Sequence, residues 1–140
     1  MIDTKELRIG NYILYKGSKA KISGISLKHI LAYTFYKEAK TPTSTENVSL
    51  NVEDCTPIPL AEELLLKCGM NECNDDAIVR YIYCNGKFKM SIVIHGLKKY
   101  IVHIHNLENG EQICGKEILY LHQLQNIYFD LTGNELEVSL

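Results

Sequence analysis

Apolar and polar residues alternate along the first third of the chain. Gly10-Asn11 leads into Tyr12-Ile13-Leu14-Tyr15, and Lys16-Gly17-Ser18 is a turn signal. From Lys19 to Ile25, Ala20 and Ile22 fall on one face and Lys19, Lys21 and Ser23 on the other, the period of a half-buried strand. Ser26-Leu27-Lys28 turns into Ile30–Tyr36, rich in β-branched and aromatic residues with both faces largely apolar. The polar stretch Glu38–Asn47 reads as a loop, after which Val48, Leu50 and Val52 alternate again. Four or five short strands with tight turns predict an SH3-like small β-barrel over residues 1–57, with an open meander as the alternative of the same local pattern.

Pro57 and Pro59 mark a change of period. Leu60–Lys67 follows with helical grammar: Glu62 and Glu63 in the first turn, Lys67 in the last, Gly69 as a cap, and a buried stripe of Leu60, Leu64, Leu65 and Cys68. An acidic loop over 71–76 precedes a strand over Ile78–Tyr83. Asn85-Gly86 turns that strand back through Lys87–Ile94. Lys99–His105 and Glu111–Cys114, joined by Asn109-Gly110, complete a four-stranded antiparallel meander. A helix over about residues 118–132, stopped by Gly133, and an alternating strand over 135–140 close the chain. The fold class expected is α+β, an N-terminal SH3-like part (1–57) followed by an antiparallel meander with two helices (58–140).

The 140 residues, 46% of them hydrophobic and 23% charged, are enough for an ordinary core without staples. No apolar run approaches the roughly twenty residues of a membrane-spanning helix. Met1–Glu6 lacks the basic start and apolar stretch of a secretory signal, so a cytoplasmic location is expected. Five cysteines, Cys55, Cys68, Cys73, Cys84 and Cys114, show no Cys-x-x-Cys doublet; reduced thiols filling apolar space fit such a compartment. The net charge of −2 hides an asymmetry. No acidic residue occurs from Leu7 to Lys37, where Arg8, Lys16, Lys19, Lys21, Lys28 and Lys37 stand.

Three words of sequence carry a resemblance: Glu6-Leu7-Arg8-Ile9-Gly10-Asn11, then Pro57-Ile58-Pro59-Leu60-Ala61-Glu62-Glu63 with Leu66-Lys67-Cys68-Gly69, then His122-Gln123-Leu124-Gln125-Asn126-Ile127-Tyr128-Phe129 with Leu131-Thr132-Gly133. Their order and spacing resemble a family of small uncharacterised bacterial proteins often met near phage-like or other mobile elements. The resemblance implies such a setting and supplies no activity and no catalytic residue.

Phosphate-cradling, dinucleotide-binding, nucleophile-elbow and zincin motifs are all absent, so the reading leans away from an enzyme, and no catalytic residue, metal or cofactor is assigned. A small metal-dependent enzyme would need His103 and His105, two apart on one strand face, with His95 as third ligand. In the closing helix, Tyr120, Leu121, Leu124, Ile127, Tyr128 and Leu131 gather into an apolar arc, and His122, Gln125, Asn126 and Asp130 fall opposite. Phe129 projects among the amides. His122, Gln125, Asn126 and Phe129 are therefore the candidate surface for a protein partner, and an interaction or accessory module is the leading expectation. The alternative is nucleic-acid binding through Lys16, Lys19, Lys21 and Lys28, interleaved with Tyr12, Tyr15, Tyr33, Phe35 and Tyr36.

Overall fold

A computed structural model describes residues 2–26, 28–34, 47–75, 78–84, 86–95 and 99–140. Within these the chain is α+β and mostly strand, with two antiparallel sheets and two helices. It divides into two compact units, one made of residues 1–59 and 120–140 and the other of residues 60–119.

The first unit begins with a 3₁₀ turn over Thr4–Glu6, where the Asp3 side chain accepts from the Lys5 N–H at 2.9 Å. Strands β1 (Tyr12–Tyr15) and β2 (Ser18–Ile25) form a hairpin closed by Lys16-Gly17. Both turn residues have positive φ (47° and 82°), the mirror-image turn whose twist matches that of the flanking strands. β3 (His29–Thr34), β4 (Val48–Asn51) and β5 (Cys55–Pro57) complete a sheet of order β4-β3-β2-β1-β5, with a 3₁₀ turn over Val52–Asp54 before β5. The edge strands β4 and β5 do not pair with each other among the described residues, so the sheet is open there. Alternation decides its inner face: Ile13, Ala20, Ile22, Ile30, Ala32, Leu50 and Cys55 form one buried cluster with Ile2. Removing each large aliphatic from water contributes roughly 1.5–3 kcal/mol. Phe35, Tyr36 and the loop expected over 38–47 lie outside the described residues, except Asn47, whose side chain accepts from the Ser23 hydroxyl.

Helix α2 (Leu121–Thr132) belongs to this unit, not to the C-terminal part where the sequence placed it. Its entry is held by Leu121 N–H donating to Ile58 O (2.9 Å) and by the Tyr120 N–H donating to the Gln123 side chain (3.1 Å). Its exit is Gly133, left-handed at φ 70°, donating to Phe129 O. The expected start near residue 118 falls instead in a strand. The stretch 135–140 joins no sheet among the described residues, although Leu136 and Leu140 are buried.

The second unit opens with α1 (Glu62–Lys67) and continues as a five-stranded meander in chain order: β6 (Asn71–Asp75), β7 (Ile78–Cys84), β8 (Phe88–His95), β9 (Lys99–Asn106) and β10 (Gln112–Ile118). The stretch expected as an acidic loop is thus the edge strand β6, paired from Asn71↔Ile82 to Asp75↔Ile78. Polar residues are tolerated at an edge, where one side meets water. β10 extends past a bulge at Gly115 (φ 76°) so that Ile118 pairs with Tyr100 and is fully buried. One face of this sheet carries buried Tyr81, Met90, Ile92, Tyr100, Val102 and Ile104. The Tyr81 hydroxyl donates to Glu62 of α1 at 3.3 Å, and the helix buries Leu64 and Leu65, with Leu60, Cys68 and Met70 beside it also buried.

Candidate functional site

The segment from Glu6 to Tyr12 is bound by the face of α2 that the sequence offered to an outside partner. The turn starts from its own residues: Asn11 N–H donates to Arg8 O (3.1 Å), and the Asn11 side chain accepts from the Arg8 N–H (2.8 Å). Gly10 stands third in this turn at φ 95°, a conformation that glycine adopts without a Cβ penalty. A Cβ there would also lie 3.0 Å from the Glu135 carboxylate. Two backbone bonds join the turn to β2: Gly10 N–H to Ile22 O (2.8 Å) and Ile22 N–H to Asn11 O (2.9 Å).

Helix α2 supplies the rest. Gln125, fully buried, donates through Nε2 to Gly10 O (3.3 Å) and accepts the Tyr12 N–H through Oε1 (3.0 Å). Asn126 accepts from the Asn11 amide (2.9 Å) and donates to Glu6 O (2.8 Å). His122 is 1% exposed, with Nε2 3.4 Å from the Glu6 carboxylate and its ring stacked on Tyr120. Burial pushes its pKa below the ordinary 6.5, while the hydrogen bond and charge of Glu6 push back. Phe129 is half-buried under the Arg8 guanidinium, which sits 4.0 Å above its ring centroid. Arg8 also grips both carboxylate oxygens of Glu135, at 2.5 and 2.9 Å. Those hydrogen bonds hold the Glu135 carboxyl below its usual value, against the opposing effect of burial.

His122, Gln125, Asn126 and Phe129 are thus brought together as expected, but they face inward: their contacts are made to residues 6–12 of the same chain. An amide face that reads as a docking surface is filled because unpaired backbone groups of an irregular segment need side-chain partners when buried. The result is that Ile9, between Arg8 and Gly10, stands 58% exposed at the tip of a fixed turn. Beside it runs a groove of about 600 Å³, lined by Ile9, Lys21, Ser23, Tyr33 and Glu135. Local hydropathy gave no hint of it, since its walls come from residues 9, 21–23, 33 and 135.

Of the four lysines, Lys19 and Lys21 share the outward face of β2, and Lys16 and Lys28 lie in the turns at its opposite ends. Lys16 is 3.8 Å from Asp54 and Lys21 lies over the Tyr12 ring, so the four make a line along one strand and not a cluster. In the second unit His103 and His105 share the face of the sheet opposite Tyr81, as their spacing implies. His95 pairs with Lys99, four residues along β9 from His103. The His95 side chain lies outside the described residues. Among the described residues no three His, Cys, Asp or Glu side chains gather to hold a metal.

Cys55 and Cys68 fill core positions, and burial pushes the Cys68 thiol up to about 12. Cys73 and Cys84 are exposed and so depart from the expectation of thiols filling apolar space. The Cys114 side chain lies outside the described residues.

Compared with known proteins, the chain matches no family model, no curated protein and no solved structure.

Proposed function

We propose that the protein is a non-enzymatic interaction module whose working surface is the groove beside Ile9, and that its occupant is a short extended segment of a partner protein. The observation that carries this reading is the exposure of Ile9 on a turn held by hydrogen bonds from β2, α2 and Glu135. An aliphatic side chain presented to water at a rigid point is preorganised for contact, which reduces the ordering cost of binding. Tyr33 supplies an aromatic wall, and Lys21, opposite it in register, supplies a cation at the rim. The segment therefore carries apolar side chains with a nearby carboxylate.

The sheet order β4-β3-β2-β1-β5, with a 3₁₀ turn before β5, supports an SH3-like roll as the scaffold of the first unit, and small rolls of that kind capture extended peptides in aromatic-lined grooves. Exposed thiols at Cys73 and Cys84 support a reducing, cytoplasmic setting, and the resemblance in the three sequence words supports an accessory role in a mobile element.

The test is capture from a lysate of the native host by the wild type, Ile9→Ser and Tyr33→Ala. A protein retained by the wild type and reduced ~10-fold by both variants, with unchanged melting, is the expected result. Equal capture by all three, or none by the wild type, overturns the reading. The alignment of Lys19 and Lys21 with Tyr12 and Tyr33 favours nucleic acid as a second reading; retention of an oligonucleotide, lost in Lys19→Ala/Lys21→Ala and steeply weakened by salt, would select it.

A further inference from the structure

The open face of the second sheet carries a different kind of surface. Register places Arg80 (β7) beside Val93 (β8), Ser91 beside His103 (β9), and Lys89 beside His105, which in turn faces Gln112 (β10). Side chains two apart on a strand share a face, so the donors of Arg80, Lys89, Ser91, His103, His105 and Gln112 converge from four adjacent strands. They line a hollow of about 270 Å³. Among the described residues its lining contains no carboxylate, and neither Arg80 nor Lys89 forms an ion pair. The Arg80 Nε is shielded from water with no hydrogen-bond partner among them. Gln112 Nε2 lies 3.5 Å from His105 Nδ1; with the amide donating, Nδ1 accepts, and the ring proton is left on Nε2 as a further donor.

We propose that this hollow binds a phosphate monoester. Two permanent cations and an uncapped guanidinium edge, in a hollow whose described lining holds no carboxylate, call for an anion that accepts from several directions at once. A planar carboxylate satisfies one guanidinium fork. Arg80 and Lys89 stand in rows four residues apart along β8, but both line the hollow on long side chains. A phosphoryl group offers three terminal oxygens around a tetrahedron, enough to meet more than one of these donors at once. The hollow is larger than one phosphoryl group, so it also admits the first part of whatever the ester carries, and it approaches the lower limit of small-molecule sites. The monoester comes either from a free nucleotide-sized molecule or from the phosphorylated end of a nucleic acid. The site lies wholly in residues 60–119 and does not depend on the groove reading.

The experiment uses the full chain and four probes: inorganic phosphate, a 5′ mononucleotide, and one oligonucleotide with and without its 5′ phosphate. Binding is followed by calorimetry and by the imidazole signals of His103 and His105. Saturable binding of the phosphorylated probes, shifting both imidazoles, is expected. Arg80→Lys, which loses the fork but keeps the charge, and Lys89→Gln at a half-exposed position should each weaken it by about 10-fold or more. Lys19→Ala/Lys21→Ala should leave it unchanged. A mononucleotide that binds more tightly than the oligonucleotide identifies a free small molecule as the source, and the reverse order identifies a nucleic-acid end. The proposal is overturned if no phosphorylated probe saturates, if the unphosphorylated oligonucleotide binds equally well, or if Lys89→Gln of unchanged melting binds with wild-type affinity.

Discussion

His122 is an imidazole taken almost entirely out of water, with Nδ1 lacking a hydrogen-bond partner among the described residues and Nε2 near the Glu6 carboxylate. Because burial lowers its pKa in the folded state, the unfolded chain takes the proton first as the pH falls through 6.5. The contribution of neutral His122 is therefore complete above that pH and is lost progressively below it. Glu135 behaves in the opposite chemical sense but with the same outcome. Held low by Arg8, it contributes stability above its ordinary 4.5, and that stability is lost as the pH falls further. Thermal unfolding should show a melting temperature that declines between pH 7 and 5 and again below pH 4.5. His122→Gln should flatten the first decline and leave the second; an unchanged first decline in that variant would assign it elsewhere. The hydropathy pattern put His122 on the polar side of the helix, which is correct as geometry. It could not show that the polar side is covered.

Helix α2 was legible as an element: its arc, its stop at Gly133 and most of its length follow from period and cap chemistry. Which side is buried was not legible. Leu121 and Leu124 are buried as the arc predicts, yet Ile127, Tyr128 and Leu131 are only half-buried while Gln125 is sealed completely. The reason is that Gly10 O and the Tyr12 N–H need partners where the chain enters β1, and a glutamine supplies both. Gln125→Ala removes two hydrogen bonds, leaves both backbone groups unpaired and opens a void, so denaturant titration should show a loss of about 2–4 kcal/mol. Asp130→Ala, exposed on the same helix, should stay within about 0.5 kcal/mol. Among the strands, β7, β8 and β9 were read closely because their alternation is strong. β6 was missed because an edge strand made of Asn, Glu, Cys, Asn and Asp has the composition of a loop.

The two units are threaded as an insertion: residues 60–119 leave the first unit after Pro59 and return at Tyr120. The two crossings run side by side, Pro59 bridging Tyr120 in one unit and the Leu60 N–H donating to Leu119 O at 3.0 Å in the other. Chain ends that close leave little entropy to recover when they are joined directly. A chain of residues 1–59 joined to 120–140 by a short Gly/Ser linker should fold and unfold cooperatively, with dispersed amide signals like those of the same residues in the whole protein. A collapsed spectrum would show that the first unit does not stand alone. No pattern along the chain announces this arrangement, because continuity in sequence suggests that the closing helix belongs with the meander just before it.

Turns, strand faces and helix lengths were written locally, since they depend on backbone preferences and on neighbours two to four positions away. The match between the first and third sequence words, residues 6–12 against 122–129, was settled only by folding. So were the groove at Ile9 and the gathering of Arg80, Lys89, His103 and His105. Each pairs groups that are distant along the chain or spread across several strands, and a buried polar atom is satisfied by whichever donor or acceptor arrives in space, whatever its distance in sequence.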